Sequence, residues 1–205
     1  MAKIRLTKNE LKKQKEALKR YQQYLPTLIL KKQQLQIEIQ KLHKGMDGIK
    51  KERAYIKARV YKWADVFTED AGIEKLIRLK KIVTTTGNIA GIDMPVFEKV
   101  IFDESEYDLL RTPLWLDYGI ETMKKVMILN AKMETLRKQD ELVREELRIT
   151  TQRVNLFEKV MIPGTRENIR KIRIYLGDLD TAAVVTGKIA KEKIQKKAQA
   201  GRAVI

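Results

Sequence analysis

Cysteine is absent from the 205-residue chain, which excludes disulfides and thiolate metal ligands. A single histidine, His43, leaves zinc without its usual donor set. Four prolines and ten glycines are few for this length, so little stands in the way of long helices. Long apolar runs are missing too. The longest uncharged run near the centre, residues 82–92, is 11 residues, against the ~20 that a bilayer-spanning helix needs. Residues 1–10 lack the apolar core of a secretory leader. The expected location is therefore cytoplasmic, or peripheral to a larger body. Gly187-Lys188-Ile189 is no phosphate loop, because position 182 is Ala and neither Ser nor Thr follows the lysine. The carboxylates between Asp103 and Asp108 fall in an expected loop and read as solvated surface. His43 reads as a solvated or partner-facing helix residue. No residues suggest catalysis, and no cofactor or metal is expected.

What is present is charge and periodicity. Charged residues make up 34% and hydrophobic ones 43%, with a net charge of +16. The charge is uneven. Residues 1–20 hold eight Lys or Arg against two Glu, residues 188–205 six against one, and residues 65–118 six against eleven acids. Both ends are basic and the middle is acidic.

The apolar residues of the first third repeat in sevens. Tyr21, Leu28, Leu35, Leu42, Ile49, Ile56 and Trp63 form one row, flanked by a second through Leu11, Leu18, Leu25, Ile39, Met46 and Val60. Rows three and four residues apart make the seam of a coiled coil. A helix this long and one-sided needs a partner for its stripe. A matching seam returns in the second half through Leu129, Met133, Leu136, Val143, Leu147, Val154 and Phe157. Its phase slips by one residue near Pro163-Gly164, which predicts a bend or a local change of supercoil.

Thr7 to Glu10 form a capping box, so the first helix is expected to start near Lys8. Pro26 is expected to bend it without ending it. Gly45 and Gly48 mark either a soft surface or the close approach of a partner's backbone. Between the seams the pattern changes. A short helix is expected over residues 73–79. The β-branched residues 82–86 and the run 96–102 then form a hairpin around Gly87 to Pro95. Trp115 closes this insert, and helix resumes near Gly119. The expected fold is mainly α: a long antiparallel two-helix coiled coil of N- and C-terminal helices with a mid-chain insert. The expected divisions are 1–70, 71–118 and 119–205. Position 11 should face about 178 and position 63 about 126, giving a rod about 100 Å long at ~1.5 Å per residue. The insert should cap the end away from the termini. A parallel homodimer is the alternative that the seams alone permit. The seam is expected to rest on Leu28, Leu35, Leu42, Ile49 and Ile56 against Leu136, Val143, Leu147, Val154 and Phe157.

Four segments then carry a resemblance. Leu6-Thr-Lys-Asn-Glu-Leu-Lys-Lys13, Tyr24-Leu-Pro-Thr-Leu-Ile-Leu-Lys-Lys-Gln-Gln-Leu35, Gly87-Asn-Ile-Ala-Gly-Ile-Asp-Met-Pro95 and Gln152-Arg-Val-Asn-Leu-Phe-Glu-Lys-Val-Met-Ile-Pro163 resemble the D subunits of V-type (archaeal and vacuolar) rotary ATPases. They are spread over the chain in the family's order. The resemblance implies a non-catalytic central rotor stalk, carrying torque between a catalytic A3B3 hexamer and an ion-translocating membrane ring. The implied partners are the A and B subunits, the small F subunit of the rotor and a membrane-ring adaptor (named C or d). It implies no nucleic acid and no direct membrane insertion. With it, the basic tip Lys12, Lys13, Lys188 and Lys191 is expected to face the hexamer. The hairpin residues Gly87, Asn88, Ile89, Gly91 and Pro95 are expected to meet a partner at the base. The competing class is a basic coiled-coil scaffold that binds nucleic acid or an anionic membrane, which the charge allows. Against it, basic residues are not interleaved with exposed aromatics in a recognition motif.

Overall fold

The computed structural model describes residues 4–62, 76–105, 112, 113 and 115–202. Helix α1 spans Lys8–Tyr61. A hairpin of β1 (Ile77–Ile89) and β2 (Ile92–Glu104) follows. Helix α2 spans Leu116–Leu156, a π-helical turn occupies Phe157–Met161, and α3 spans Ile162–Arg202. The chain divides into two compact units, residues 1–29 with 152–205 and residues 30–151.

The cap at Lys8 forms by half of the expected box. The Glu10 amide donates to the Thr7 hydroxyl at 3.3 Å, but the Glu10 carboxylate accepts from the Gln14 side chain at 2.9 Å and leaves the box open. Helix α1 runs unbroken through Pro26. Gly45 makes only ordinary room, since an added Cβ would lie 3.6 Å from Leu136, and Gly48 faces open space. Neither glycine is required by a close backbone approach.

In the unit of residues 30–151, α1 and α2 run antiparallel. Lys31 meets Glu146 at 2.6 Å, His43 meets Asp140 at 3.2 Å, and Arg59 donates to the Tyr118 hydroxyl at 2.7 Å. The expected register is corrected here. It placed Arg59 near residue 130 and Lys31 near 158. Lys31 and Arg59 each meet a residue 12 positions before the expected one, and His43 one 6 before, because an a/d stripe fixes which residues face the seam and leaves the slide along it open.

The hairpin is longer than expected, and its strand replaces the end of the expected helix at 73–79. Residues 77–79 are extended and pair with Glu104, Asp103 and Phe102; residues 73–75 lie outside the described residues. Long-range pairing overrides a weak local preference. Register shifts after Leu79 and after Val83 leave Lys80 and Glu98 as single-residue bulges. The turn is Ala90-Gly91, with φ of 54° and 79°. Both residues are left-handed, as a tight two-residue hairpin turn requires. Ala90 takes that conformation with a Cβ, at a cost of about 1–2 kcal/mol.

Among the described residues of the insert, the hairpin lies along the helix pair and does not cap its end. Its turn folds back along α1, where Ile89, Ala90 and Ile92 pack around a cluster of Leu35, Met94 and Val143, each at most 1% exposed. A two-stranded ribbon alone is marginal in water, so it gains stability by laying its apolar face on the helices. A second cluster of Ile77, Leu116 and Ile120, joined by Phe102, Trp115 and Met127, fixes the other end of the hairpin.

The one-residue slip is a π-turn. The buried or half-buried row reads Val143, Leu147, Thr150, Val154, Phe157, then Ile162, Thr165, Ile169 and Ile172. The step from 157 to 162 is five residues, and the Ile162 amide donates to the Phe157 carbonyl. A π-turn carries one extra residue. It lies just before Pro163 because the proline ring clashes with the preceding turn and offers no amide to it. The slip therefore falls before Pro163-Gly164.

Leu35→Ala should lower unfolding stability by about 3 kcal/mol, the range for a fully buried leucine. It should also release the amides of residues 89–94 to hydrogen exchange before those of α2. Urea titration with exchange mass spectrometry checks both. A loss below about 1 kcal/mol, or unchanged hairpin protection, would show that the turn is not held there.

Candidate functional site

The candidate site is the surface of the paired helices. All ten expected seam residues, from Leu28 to Ile56 and from Leu136 to Phe157, are buried or half-buried. In the first unit, Tyr21 and Phe157 meet edge to face with ring centres 5.3 Å apart. Such a pair adds about 0.5–1.5 kcal/mol beyond its buried area.

The second unit carries a polar crossing. Arg144 donates from Nε to Asp140 at 2.6 Å, and its Nη2 lies 2.7 Å from His43 Nε2, which is itself 3.2 Å from the Asp140 carboxylate. His43 thus joins α1 to α2 through two charged side chains. Asp140 is the polar member of the second seven-residue row itself, and Arg144 lies one turn on at a position that periodicity marks only as polar.

The hairpin reaches α2 on a further stripe. Gln139 donates to the Pro95 carbonyl at 2.6 Å, and the Lys132 ammonium lies 5.7 Å from the Phe97 ring centre. Ala131 and Thr135 on the same stripe are buried, and the Thr135 hydroxyl is spent on the Ala131 carbonyl at 2.9 Å. The signal for this stripe was a run of small and uncharged residues at four-residue spacing: Met127, Ala131, Thr135 and Gln139.

The five hairpin residues separate into two groups. Gly87 is required by close packing, since a Cβ there would lie 2.6 Å from Val96. Ile89 is packed on the Leu35 cluster, and Pro95 gives its carbonyl to Gln139. Asn88 and Gly91 are exposed. The Asn88 side chain accepts from the Gly91 amide at 3.2 Å and donates to Asp93 at 2.7 Å, which braces the turn. Lys12, Lys13, Lys188 and Lys191 are all exposed in the first unit.

Two open grooves follow the helix pairs. In the second unit, Ala54, Ile56, Val60 and Val126 lie beneath Lys50, Arg53 and Lys57. In the first unit, Leu18 and Ile169 lie beneath Lys15, Lys19, Arg166, Arg170 and Arg173. Among the described residues there is no group of three His, Asp or Glu that could hold a metal ion, and no helix is long and apolar enough to cross a membrane.

Solvent-facing carboxylates along the helices are held below their ordinary range by hydrogen bonds from neighbouring cations. Lys50 acts on Asp47, Lys125 on Glu121, Lys138 on Glu134, Arg148 on Glu145 and Arg170 on Glu167.

The sequence comparisons agree with one another. The family of ATP synthase D subunits matches residues 10–192. The chain is 49% identical over 197 residues to a V-type ATP synthase D subunit of Borreliella burgdorferi, covering 96% of this chain and 98% of that one. It is 36% identical over 198 residues to a V-type ATP synthase D subunit of Chlamydia pneumoniae, covering 94% and 93%. It is also 36% identical over 197 residues to a protein of that name from Chlamydia trachomatis serovar L2, covering 94% and 97%.

A group whose folded pKa is lowered stabilises the fold above its unfolded value and loses that contribution as pH falls through the folded value. The affected carboxylates start from 3.8 and 4.5. The urea midpoint should therefore hold above about pH 5 and fall below it, helped by the mutual repulsion of 43 Lys and Arg. Because the ion pairs are exposed, added salt should shrink the fall. A midpoint that rises on acidification contradicts this.

Proposed function

The chain belongs to the family of ATP synthase D subunits, and on that premise we propose that it is the central rotor stalk of a V/A-type rotary ATPase. In this reading it is non-catalytic. It transmits torque between the A3B3 hexamer and the membrane ring that moves ions, and it is cytoplasmic and peripheral to the membrane within the soluble sector. The small F subunit binds along its side, and the ring adaptor binds near the mid-chain insert. Lys12, Lys13, Lys188 and Lys191 face the hexamer. On the hairpin, Asn88 and Gly91 remain outward for a partner, while Gly87, Ile89 and Pro95 hold the ribbon in shape.

The observation that carries this reading is the antiparallel pairing of α1 and α2, tied across by Lys31–Glu146 and by His43, Asp140 and Arg144. A single helix twists and bends easily. Two helices locked side by side resist both, since turning one drags the other through every interdigitated side chain. Exposed lysines suit a turning element, because solvated ion pairs are worth only about 0–1 kcal/mol and exchange readily.

Reconstitution tests the role. A complex assembled with this chain should couple ATP hydrolysis to ion movement, and the same complex without it should hydrolyse ATP and move no ions. A Leu42→Ala/Leu147→Ala variant should retain hydrolysis while moving fewer ions per ATP. Full ion movement in the absence of the chain contradicts the proposal.

A further inference from the structure

The hairpin has two outer edges, and only one of them is met by a helix. Pairing parity fixes which backbone groups point outward. Around a two-residue turn the flanking residues, here Ile89 and Ile92, exchange both ladder hydrogen bonds. Alternation then makes Gly87 with Met94 and Thr85 with Val96 bonded pairs. It leaves Asn88 with Asp93, Thr86 with Pro95 and Thr84 with Phe97 unbonded. Pro95 agrees with this parity, since it has no amide to give. Residues of an unbonded pair turn their amides and carbonyls away from each other. On β2 that edge faces α2, where the Pro95 carbonyl accepts from Gln139 at 2.6 Å. On β1 it presents the amides and carbonyls of Ile82, Thr84, Thr86 and Asn88. Among the described residues, no other element bonds these groups.

Exposure shows the same asymmetry. Thr84, Thr85 and Thr86 are exposed in succession, so both faces of β1 are wet there, whereas Pro95, Val96 and Phe97 across from them are half-buried. Open edges usually carry lysine, proline or a bulge, which discourage pairing with foreign chains. This hairpin carries all three elsewhere. Bulged Lys80 and Lys81 stand before Ile82 on β1, and Pro95 and the Glu98 bulge stand on β2. The run Ile82-Val-Thr-Thr-Thr-Gly-Asn88 has none of them. It bears no charge in a chain that is 34% charged, and its β-branched residues favour extended backbone.

We infer that the outer edge of β1 accepts an extended segment of a partner protein as a third strand. The outward donor and acceptor pairs recur at every second residue, about 7 Å apart, and another extended chain matches that period. The segment is uncharged where it crosses Thr84 and Thr86, because the edge offers no ion to pair with there. Charge sets its ends. Exposed Lys80 and Lys81 stand at one end of the edge, and exposed Asp93 stands beside Asn88 at the other. An acid near the first and a base near the second complement them. The partner is the ring adaptor, and that identity rests on the rotor-stalk reading, whereas the open edge does not. The contact is made by main chain along the strand, beyond the outward turn residues Asn88 and Gly91.

Residue-resolved hydrogen exchange on the full chain, alone and with purified ring adaptor, tests this. Alone, the amides of Thr84, Thr86 and Asn88 should exchange fast and those of Thr85 and Gly87 slowly. With the adaptor, the first three should slow at least roughly tenfold while Thr85 and Gly87 change little, an alternation that side-chain contact does not produce. A Thr86→Pro variant removes one outward amide opposite Pro95, where the ladder needs none. It should bind the adaptor roughly tenfold more weakly and melt close to the wild type, while Thr86→Ser should bind within about twofold of the wild type. The exchange pattern needs no variant, so it decides even where the proline variant unfolds. Adaptor binding with uniform protection or none, or wild-type binding by a folded Thr86→Pro variant, overturns the inference and leaves the stalk reading standing. A wild-type chain that does not bind the adaptor overturns the proposed adaptor contact and this inference together. Alternating protection that appears in the chain alone as its concentration rises overturns the inference in favour of a second copy.

Discussion

The packing of Leu35 against Val143 and Met94 is the contact on which the described structure of residues 30–151 depends. It joins three elements at one point: α1 through Leu35, α2 through Val143, and the hairpin through Met94. Each is too weak alone. A solitary helix has no partner for its stripe, and a solitary ribbon leaves one apolar face wet. Brought together, they bury side chains that make many small dispersion contacts at close to crystal density. The polar ties, Lys31 to Glu146 and His43 to Asp140 and Arg144, then select the register that the apolar stripe leaves open.

The π-turn at Phe157–Met161 solves a related problem in the other unit. A seven-residue repeat that gains one residue must either abandon its seam or widen one turn. Here the wider turn keeps the buried row continuous from Val154 through Phe157 to Ile162, and it sits where Pro163 already denies the helix an amide. One irregularity absorbs both faults.

Much of this was legible beforehand. The start of α1 at Lys8, its passage through Pro26, the two seams and the existence of a hairpin follow from heptad spacing, a capping threonine and a β-branched run. The register of α1 on α2 was not legible, because an a/d stripe looks the same after a slide of seven residues. The fate of the hairpin was also hidden. On α2 it is held by Gln139, on a stripe with the buried Ala131 and Thr135, residues that are small or uncharged and resemble a solvated surface in sequence. The extended conformation of residues 77–79 comes from their partners 102–104, a distant influence that a local window cannot contain. Of the site, the exposed lysines were visible as composition. The like-charged walls of the α1–α3 groove needed the two helices to be placed side by side.

Because the chain lacks cysteine, the antiparallel pairing can be read with two introduced thiols. A Lys31→Cys/Glu146→Cys variant treated with a short bis-thiol reagent should become cross-linked within single chains, with no increase in molecular mass. A Lys31→Cys/Lys125→Cys variant should not, since its second thiol lies roughly 30 Å further along α2 at ~1.5 Å per residue. Cross-linked dimers from the first variant, or equal reaction of the two, would contradict the pairing from which the rest is built.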